Sequence, residues 1–274
     1  METGTMKNWP FRIGFVVIGI IIAIVYWQFY RPEQQAPIKI VAPFPVSEPQ
    51  AGPVIQHPVT TAPEELKAAE PIIAPEKPLP ELKQSDTPMA EILTKLFADQ
   101  KLDRFFILEH FIERFVVMVD NLPRLQLPTS HRPLKKTPGS FLANGQRDQL
   151  TIDPANYQRY TPLITILEAL NTQQVVAVYK RLYPLFQEAY EGLGYPDAYF
   201  NDRLIEVIDH LLVTPQVSGP IRLIQPKALY LFANPALESL SAGRKILIRS
   251  GPENAEQIKA LLREYRRELT ANNQ

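Results

Sequence analysis

Cysteine is absent from the 274 residues, which excludes disulfides, thiolate zinc sites, iron–sulfur ligation and cysteine nucleophiles. An excess of charge of either sign is lacking too, since 29 basic side chains balance 29 acidic ones. Affinity for nucleic acid comes mostly from Lys and Arg facing phosphates, so this balance argues against a dedicated nucleic-acid binder. Glycine is scarce at 11 while proline reaches 27, a contrast that belongs to a chain of uneven parts. Several motifs are missing as well: a G-x-S-x-G elbow, a G-x-x-x-x-G-K-[ST] phosphate loop, an H-E-x-x-H pair and a G-x-G-x-x-G behind a strand. Without them there is no sequence signal for the common hydrolase, nucleotide or metalloprotease sites.

What is present begins with an apolar run. Residues 13–30 read IGFVVIGIIIAIVYWQFY and carry no formal charge. As a helix they span roughly 27 Å, close to the hydrocarbon thickness of a bilayer. Tyr26, Trp27 and Tyr30 have the amphipathic rings that suit the lipid–water boundary. Bulky aromatics and Arg31-Pro32 follow the run where a cleaved signal peptide would need small residues, so the expectation is an uncleaved anchor held by the lipid bilayer. Lys7 and Arg12 before the run, against Arg31 and Lys39 after it, orient the N-terminus toward the cytoplasm. The remainder then lies outside, and the inverted topology is the alternative.

Residues 31–88 hold thirteen prolines, which fix φ and remove backbone donors, so neither helix nor sheet propagates. At about 3.1 Å per residue, such a spacer reaches up to roughly 180 Å. From Met89 onward the apolar residues fall into helical period. Leu108, Ile112, Phe115, Val119 and Leu122 form one face, and Val175, Val178, Leu182, Leu185, Ala189 and Leu193 a second that Pro184 should kink. Leu204, Ile208, Leu211 and Val213 form a third, and Ala255, Ile258, Leu262, Tyr265 and Leu269 a fourth. Asp153-Pro154, Thr161-Pro162 and Asn234-Pro235 each read as a cap followed by a helix-starting proline. Only Leu125–Leu127 and Ile221–Ile224 read as extended. The expected fold class is mainly α, with at most short strands. Its organisation is an N-terminal tail (1–12), a single transmembrane helix (13–30), a disordered Pro-rich linker (31–88) and one multi-helix domain (89–274).

The run YKRLYPLFQEAYEGLGYPDAYFNDRLIEVIDHLLVTP from Tyr179 and the run GPIRLIQPKALYLFANPALESLSAGRKILIRSGPENAEQIKALLRE from Gly219 resemble a bacterial family of single-pass membrane proteins. That family is catalogued as a domain of unknown function, number three thousand and fourteen. The resemblance covers anchor, spacer and nearly all of the C-terminal domain. It implies a proteobacterial envelope location and carries over no activity and no catalytic residue.

Three polar or aromatic groupings stand out as candidate sites. Asp202, Glu206 and Asp209 recur at steps of four and three, with His210 adjacent. On one helical face such groups can ligate a divalent ion or do acid–base work, and otherwise they are the solvated side of an amphipathic helix. Glu109, His110 and Glu113 form a similar set, but neither spacing matches the Glu-x-x-His pattern of di-metal bundles, and no metal or other cofactor is implied. The loop from Pro123 to Arg147 carries Arg124, His131, Arg132, Lys135, Lys136 and Arg147 without an acidic residue. This is a candidate anion-binding surface for headgroups, wall polymers or an acidic protein. The tyrosines and phenylalanines between Tyr179 and Phe200 can line a groove or fill a core.

The function expected from this layout is a non-enzymatic binding or scaffolding protein of the bacterial inner membrane, its helical domain periplasmic and its partner an envelope protein or wall polymer. The alternatives are an envelope enzyme, such as a metal-assisted hydrolase, and a cytoplasm-facing adaptor tethered to the membrane.

Overall fold

A computed structural model of the chain describes residues 55–59, 78–97, 102–128, 130–146 and 149–271. The apolar run 13–30, with Tyr26, Trp27 and Tyr30, lies outside the described residues. Among the described residues no helix is long and apolar enough to cross a membrane.

The domain is built of helices whose starts follow from local chemistry. Helix α1 (Asp86–Leu96) opens on Asp86-Thr87-Pro88 and buries Met89 and Leu93. The folded part begins before Met89, because a 3₁₀ turn at Leu82–Gln84 precedes α1 and Leu79 and Leu82 pack on the core. Helix α2 (Phe111–Asn121) buries Ile112, Val116 and Val119. It starts three residues later than the apolar period beginning at Leu108 suggests, since His110 is left-handed at φ 51° and ψ 42°. Just before it, the Ile107 amide is spent on the Pro133 carbonyl at 2.7 Å.

Helix α3 (Thr161–Glu168) leads into α4 (Thr172–Glu191), whose first turn is capped by Asn171 accepting from the Gln174 amide. Pro184 lies inside α4, and the helix continues through it. Helix α5 (Phe200–Leu212) buries Phe200, Asn201, Ile205, Val207, Ile208 and Leu211. Asn234 caps the short α6 (Pro235–Glu238), and Ser241 caps α7 (Ala242–Ser250). Gly251, at φ 95°, turns the chain into the long α8 (Pro252–Thr270). An L-residue is strained there, and a Cβ would lie 2.5 Å from the Tyr157 ring.

The strands are minor, as expected. Two antiparallel hairpins pair β1 (Ala143–Asn144) with β2 (Thr151–Ile152) and β3 (Leu223–Ile224) with β4 (Leu231–Phe232). Residues 125 and 126 form bends rather than the extended stretch expected there.

Helices α2, α4 and α5 pack mutually, and α8 lies across α3, α4, α5 and α7. Their shared core is aromatic at its centre. Phe115, Phe186 and Phe200 meet pairwise with ring centroids 5.7 to 6.4 Å apart, and Tyr190 packs on Phe200 at 5.6 Å. Ile112, Val116 and Phe200 have no exposure at all, and burying such side chains contributes roughly 1.5–3 kcal/mol each. The rings between Phe186 and Phe200 are therefore chiefly core. A smaller core of Ile152, Ile221, Leu223, Phe232 and Ile248 sits under the hairpins.

Candidate functional site

Helix α5 carries the four residues read together as one polar cluster, and the structure sends each of them to a different partner. Asp209 forms a two-pronged pair with Arg266 of α8, with Arg266 Nη2 donating at 3.0 Å. Both side chains are nearly half exposed, so the pair contributes little to stability. Glu206 pairs with Arg203 at 2.9 Å and is 66% exposed. His210 turns toward α7, where its Nε2 lies 2.8 Å from Ser241 Oγ. Asp202 alone reaches out of the helical domain's own secondary structure. Its two carboxylate oxygens accept from the backbone amides of Gln56 at 3.1 Å and His57 at 2.6 Å. The four side chains therefore do not assemble a divalent-ion site. Steps of four and three put them near one another along the helix, but each leans toward whichever neighbouring element offers a complementary charge or dipole.

The Ser241–His210 contact has the distance of a nucleophile–base pair and a different purpose. Ser241 is the cap of α7 and already accepts from the Arg244 amide at 3.3 Å. The amides of Ala242 and Gly243, which an oxyanion would need, are spent on the carbonyls of Arg124 and Leu122 at 2.7 and 2.9 Å. Arg244 in turn donates to the His210 carbonyl at 2.9 Å. Burial, reinforced by the nearby Arg244 charge, holds His210 below its ordinary pKa, so the imidazole is neutral at neutral pH. The arrangement joins α5 to α7.

Beneath α5 lies an ionic centre whose key residue, Asp120 of α2, did not stand out in the sequence. Its side chain is 4% exposed. Arg203 Nε donates to Oδ1 at 3.1 Å and Arg124 Nη2 to Oδ2 at 2.7 Å. Arg203 also donates to the Asp120 carbonyl at 2.9 Å. The Tyr195 hydroxyl accepts from Arg124 at 3.0 Å, and its ring stacks on Tyr190 with centroids 4.8 Å apart. Burial alone would lower Arg203, but the carboxylates of Glu206 and Asp120 outweigh it and hold the guanidinium above its usual pKa. A carboxylate buried with its charge intact requires this kind of pairing.

Arg124 is thereby withdrawn from the candidate anion-binding loop. His131, Lys135 and Lys136 of that loop are exposed and Arg132 is half-buried. Arg147 lies outside the described residues. His131 Nδ1 meets its neighbour Ser130 Oγ at 2.8 Å on the surface. The loop's path is held by a residue beyond it: the Arg159 guanidinium donates to the carbonyls of Thr137, Pro138, Gly139 and Ser140.

Two further places have the chemistry of sites. Asp86, His110 and Glu113 bring potential ligand atoms within 4.8 Å of one another, the set a small cation would use here. Asp86 Oδ1, however, already accepts from the His110 amide at 2.9 Å, and the His110 side chain is 58% exposed. The second place is a cleft of about 490 Å³ lined by Tyr157, Thr214, Ile221, Glu256 and Lys259, among others. Lys259 is almost fully buried there, but its ammonium donates to the Thr214 carbonyl at 2.8 Å and pairs with Glu256 at 3.3 Å.

The contact made by Asp202 is completed by its neighbour. Asn201, 1% exposed, donates from Nδ2 to the His57 carbonyl at 2.8 Å, while its Oδ1 accepts from the Tyr179 hydroxyl at 3.1 Å. The Phe200 amide at the start of α5 is capped from α4 by Gln187 Oε1 at 2.9 Å, which leaves Asp202 available to the incoming segment. Residues 55–59, within the stretch read as linker, thus lie on the first turn of α5. Residues 111–266, from the start of α2 to near the end of α8, match the family described as Protein of unknown function (DUF3014). The chain belongs to this family. No curated protein and no solved structure matches it. The family's match includes Asp120, Arg203, Asn201 and Asp202, and residues 55–59 lie before it.

Proposed function

We propose that the chain is a non-enzymatic binding or scaffolding protein of the bacterial envelope, held in the inner membrane through residues 13–30, with its helical domain periplasmic. The apolar run and its flanking charges support the anchor and its orientation. The observation that carries the binding reading is the hold of Asn201 and Asp202 on residues 56 and 57. Each bond goes to main-chain N–H or C=O, so this surface reads a polypeptide main chain without needing particular side chains. The spent amides around Ser241 and the occupied ammonium of Lys259 favour binding over acyl transfer at these two places. A long proline-rich tether raises the local concentration of such a module at the membrane surface.

The test is a pair of measurements on the full-length chain in its native membrane. A C-terminal reporter active only outside the cytoplasm should give signal, and cross-linking followed by co-purification should recover one reproducible envelope partner. A cytoplasmic C-terminus would replace the periplasmic reading with that of a tethered cytoplasmic adaptor. Folded protein with no reproducible partner would sink the binding reading.

A further inference from the structure

Asn201 is an unusual residue to bury, because a primary amide must place both its donor and its acceptor. Its acceptor is taken from within the domain by Tyr179, and its donor is satisfied by the carbonyl of His57. Asp202 next to it uses both oxygens on two consecutive amides. The chain between them is positioned to be read: Pro58 follows immediately and Pro53 stands three residues before Gln56. The residue before a proline is pushed out of the helical region, and the backbone bends at Gln56 and His57, so two consecutive amides and the His57 carbonyl all face α5. Ile55 and Gln56 are exposed and His57 is half-buried.

We infer that the first turn of α5 is a docking site for a bent, proline-flanked segment of a partner polypeptide, and that residues 55–59 are the competitor built into the same chain. Only the partner's existence rests on the binding function proposed above. The site itself rests on Asn201 and Asp202. Its ligand needs two successive free N–H groups followed by a carbonyl, and it is uncharged or basic, because the reading group is a carboxylate. A partner gains access only by displacing residues 55–59, so occupancy in cis weakens binding in trans by the local concentration that the tether imposes.

The experiment uses the full-length chain in detergent, and the lack of cysteine makes labelling unambiguous. Ile55→Cys and Asp197→Cys, both at exposed positions, carry two spin labels. Docking predicts a short, narrow distance distribution. Gln56→Pro with His57→Pro removes both amide donors without touching the helical core, and the distribution should broaden. The probe in trans is a synthetic peptide of residues 52–60. Against a tether concentration on the order of millimolar, it should bind the released chain about tenfold more tightly than the unaltered one. Asp202→Asn should abolish that binding while circular dichroism stays the same.

Equal peptide affinity for the released and unaltered chains overturns the inference, as does a narrow distribution that survives the double proline variant. A short distance that appears only between two singly labelled copies would replace the cis arrangement with strand exchange. Competition that works while no envelope partner co-purifies would remove the proposed function and leave the docking site standing. A recovered partner without competition would do the reverse.

Discussion

Arg203→Ala is the substitution whose cost the structure defines most closely. The change removes the donor to Asp120 Oδ1 at 3.1 Å and the donor to the Asp120 carbonyl at 2.9 Å. A carboxylate that is 4% exposed then keeps Arg124, which is 54% exposed, and a Tyr195 hydroxyl as distant as 3.5 Å. Breaking a buried pair from one side costs about 3–5 kcal/mol. The surviving Arg124 contact puts the expectation at the low end, about 3 kcal/mol. For a folded part of this size that lowers Tm by roughly 6–12 °C. Asp120→Asn retains an oxygen acceptor and strands no charge, so it should cost less, about 1–2 kcal/mol. The double variant should cost less than the sum, with a coupling of about 1–2 kcal/mol, because a neutral amide no longer needs the guanidinium. The assay is urea unfolding of the four chains followed by circular dichroism, with the slope checked for constancy. A loss under about 0.5 kcal/mol for Arg203→Ala, or strict additivity in the cycle, would refute the view that Asp120 is a buried charge dependent on Arg203.

Three other outcomes are expected. Gly251→Ala meets both a positive φ and the Tyr157 ring at 2.5 Å, whereas Gly139→Ala meets only the positive φ. The first should cost about 3 kcal/mol and the second about 1 kcal/mol in the same unfolding assay, and equal costs would show that the ring simply moves aside. Burial pushes the Tyr183 and Tyr265 hydroxyls up to about 12. Because their folded pKa values lie above the unfolded value of 10.0, the associated stability is intact below pH 10 and is lost as pH rises toward 12. Phenolate absorbance should then appear together with loss of helical signal, and full tyrosine titration near pH 10 with the fold intact would contradict this. Finally, because Asp86 Oδ1 is engaged by the His110 amide, chelation should leave Tm unchanged, and a drop of several degrees on adding EDTA would show that Asp86, His110 and Glu113 hold a structural cation.

The helices were legible because their signals are local. Asn234-Pro235 and Gly251-Pro252 start helices where the cap-and-proline chemistry says they should. The periodic faces of α4 and α5 are buried along most of their length, with Leu193 and Val213 exposed at their ends, whereas on α8 only Leu269 of the periodic face is buried. The polar partners were not legible, for a reason visible in Asp120. Arg124 lies four residues away, but the decisive partner Arg203 is 83 residues distant, and only the packing of α2 against α5 brings them together. A signal did exist: Asp120 is an acid beside Val119 on the apolar side of α2, and such a residue needs a cation. Asp202 and His210 show the same limit, since residues 56–57 and Ser241 come from distant parts of the chain. Residues 31–54 and 60–77 of the proline-dense stretch lie outside the described residues, and its described end already holds the turn at Leu82–Gln84 and the start of α1. Proline density carried no hint that Gln56 and His57 bond to α5. Hydrogen bonds to main chain leave no mark in side-chain identity.

That resting segment also has a mechanical meaning. A pull applied to the chain ahead of residue 55 reaches the bonds at Asn201 and Asp202 before it reaches the core contacts of Leu79 and Leu82. Those few bonds yield first. A sudden displacement is therefore spent on three hydrogen bonds at the first turn of α5 before any load reaches the packing of Leu79 and Leu82.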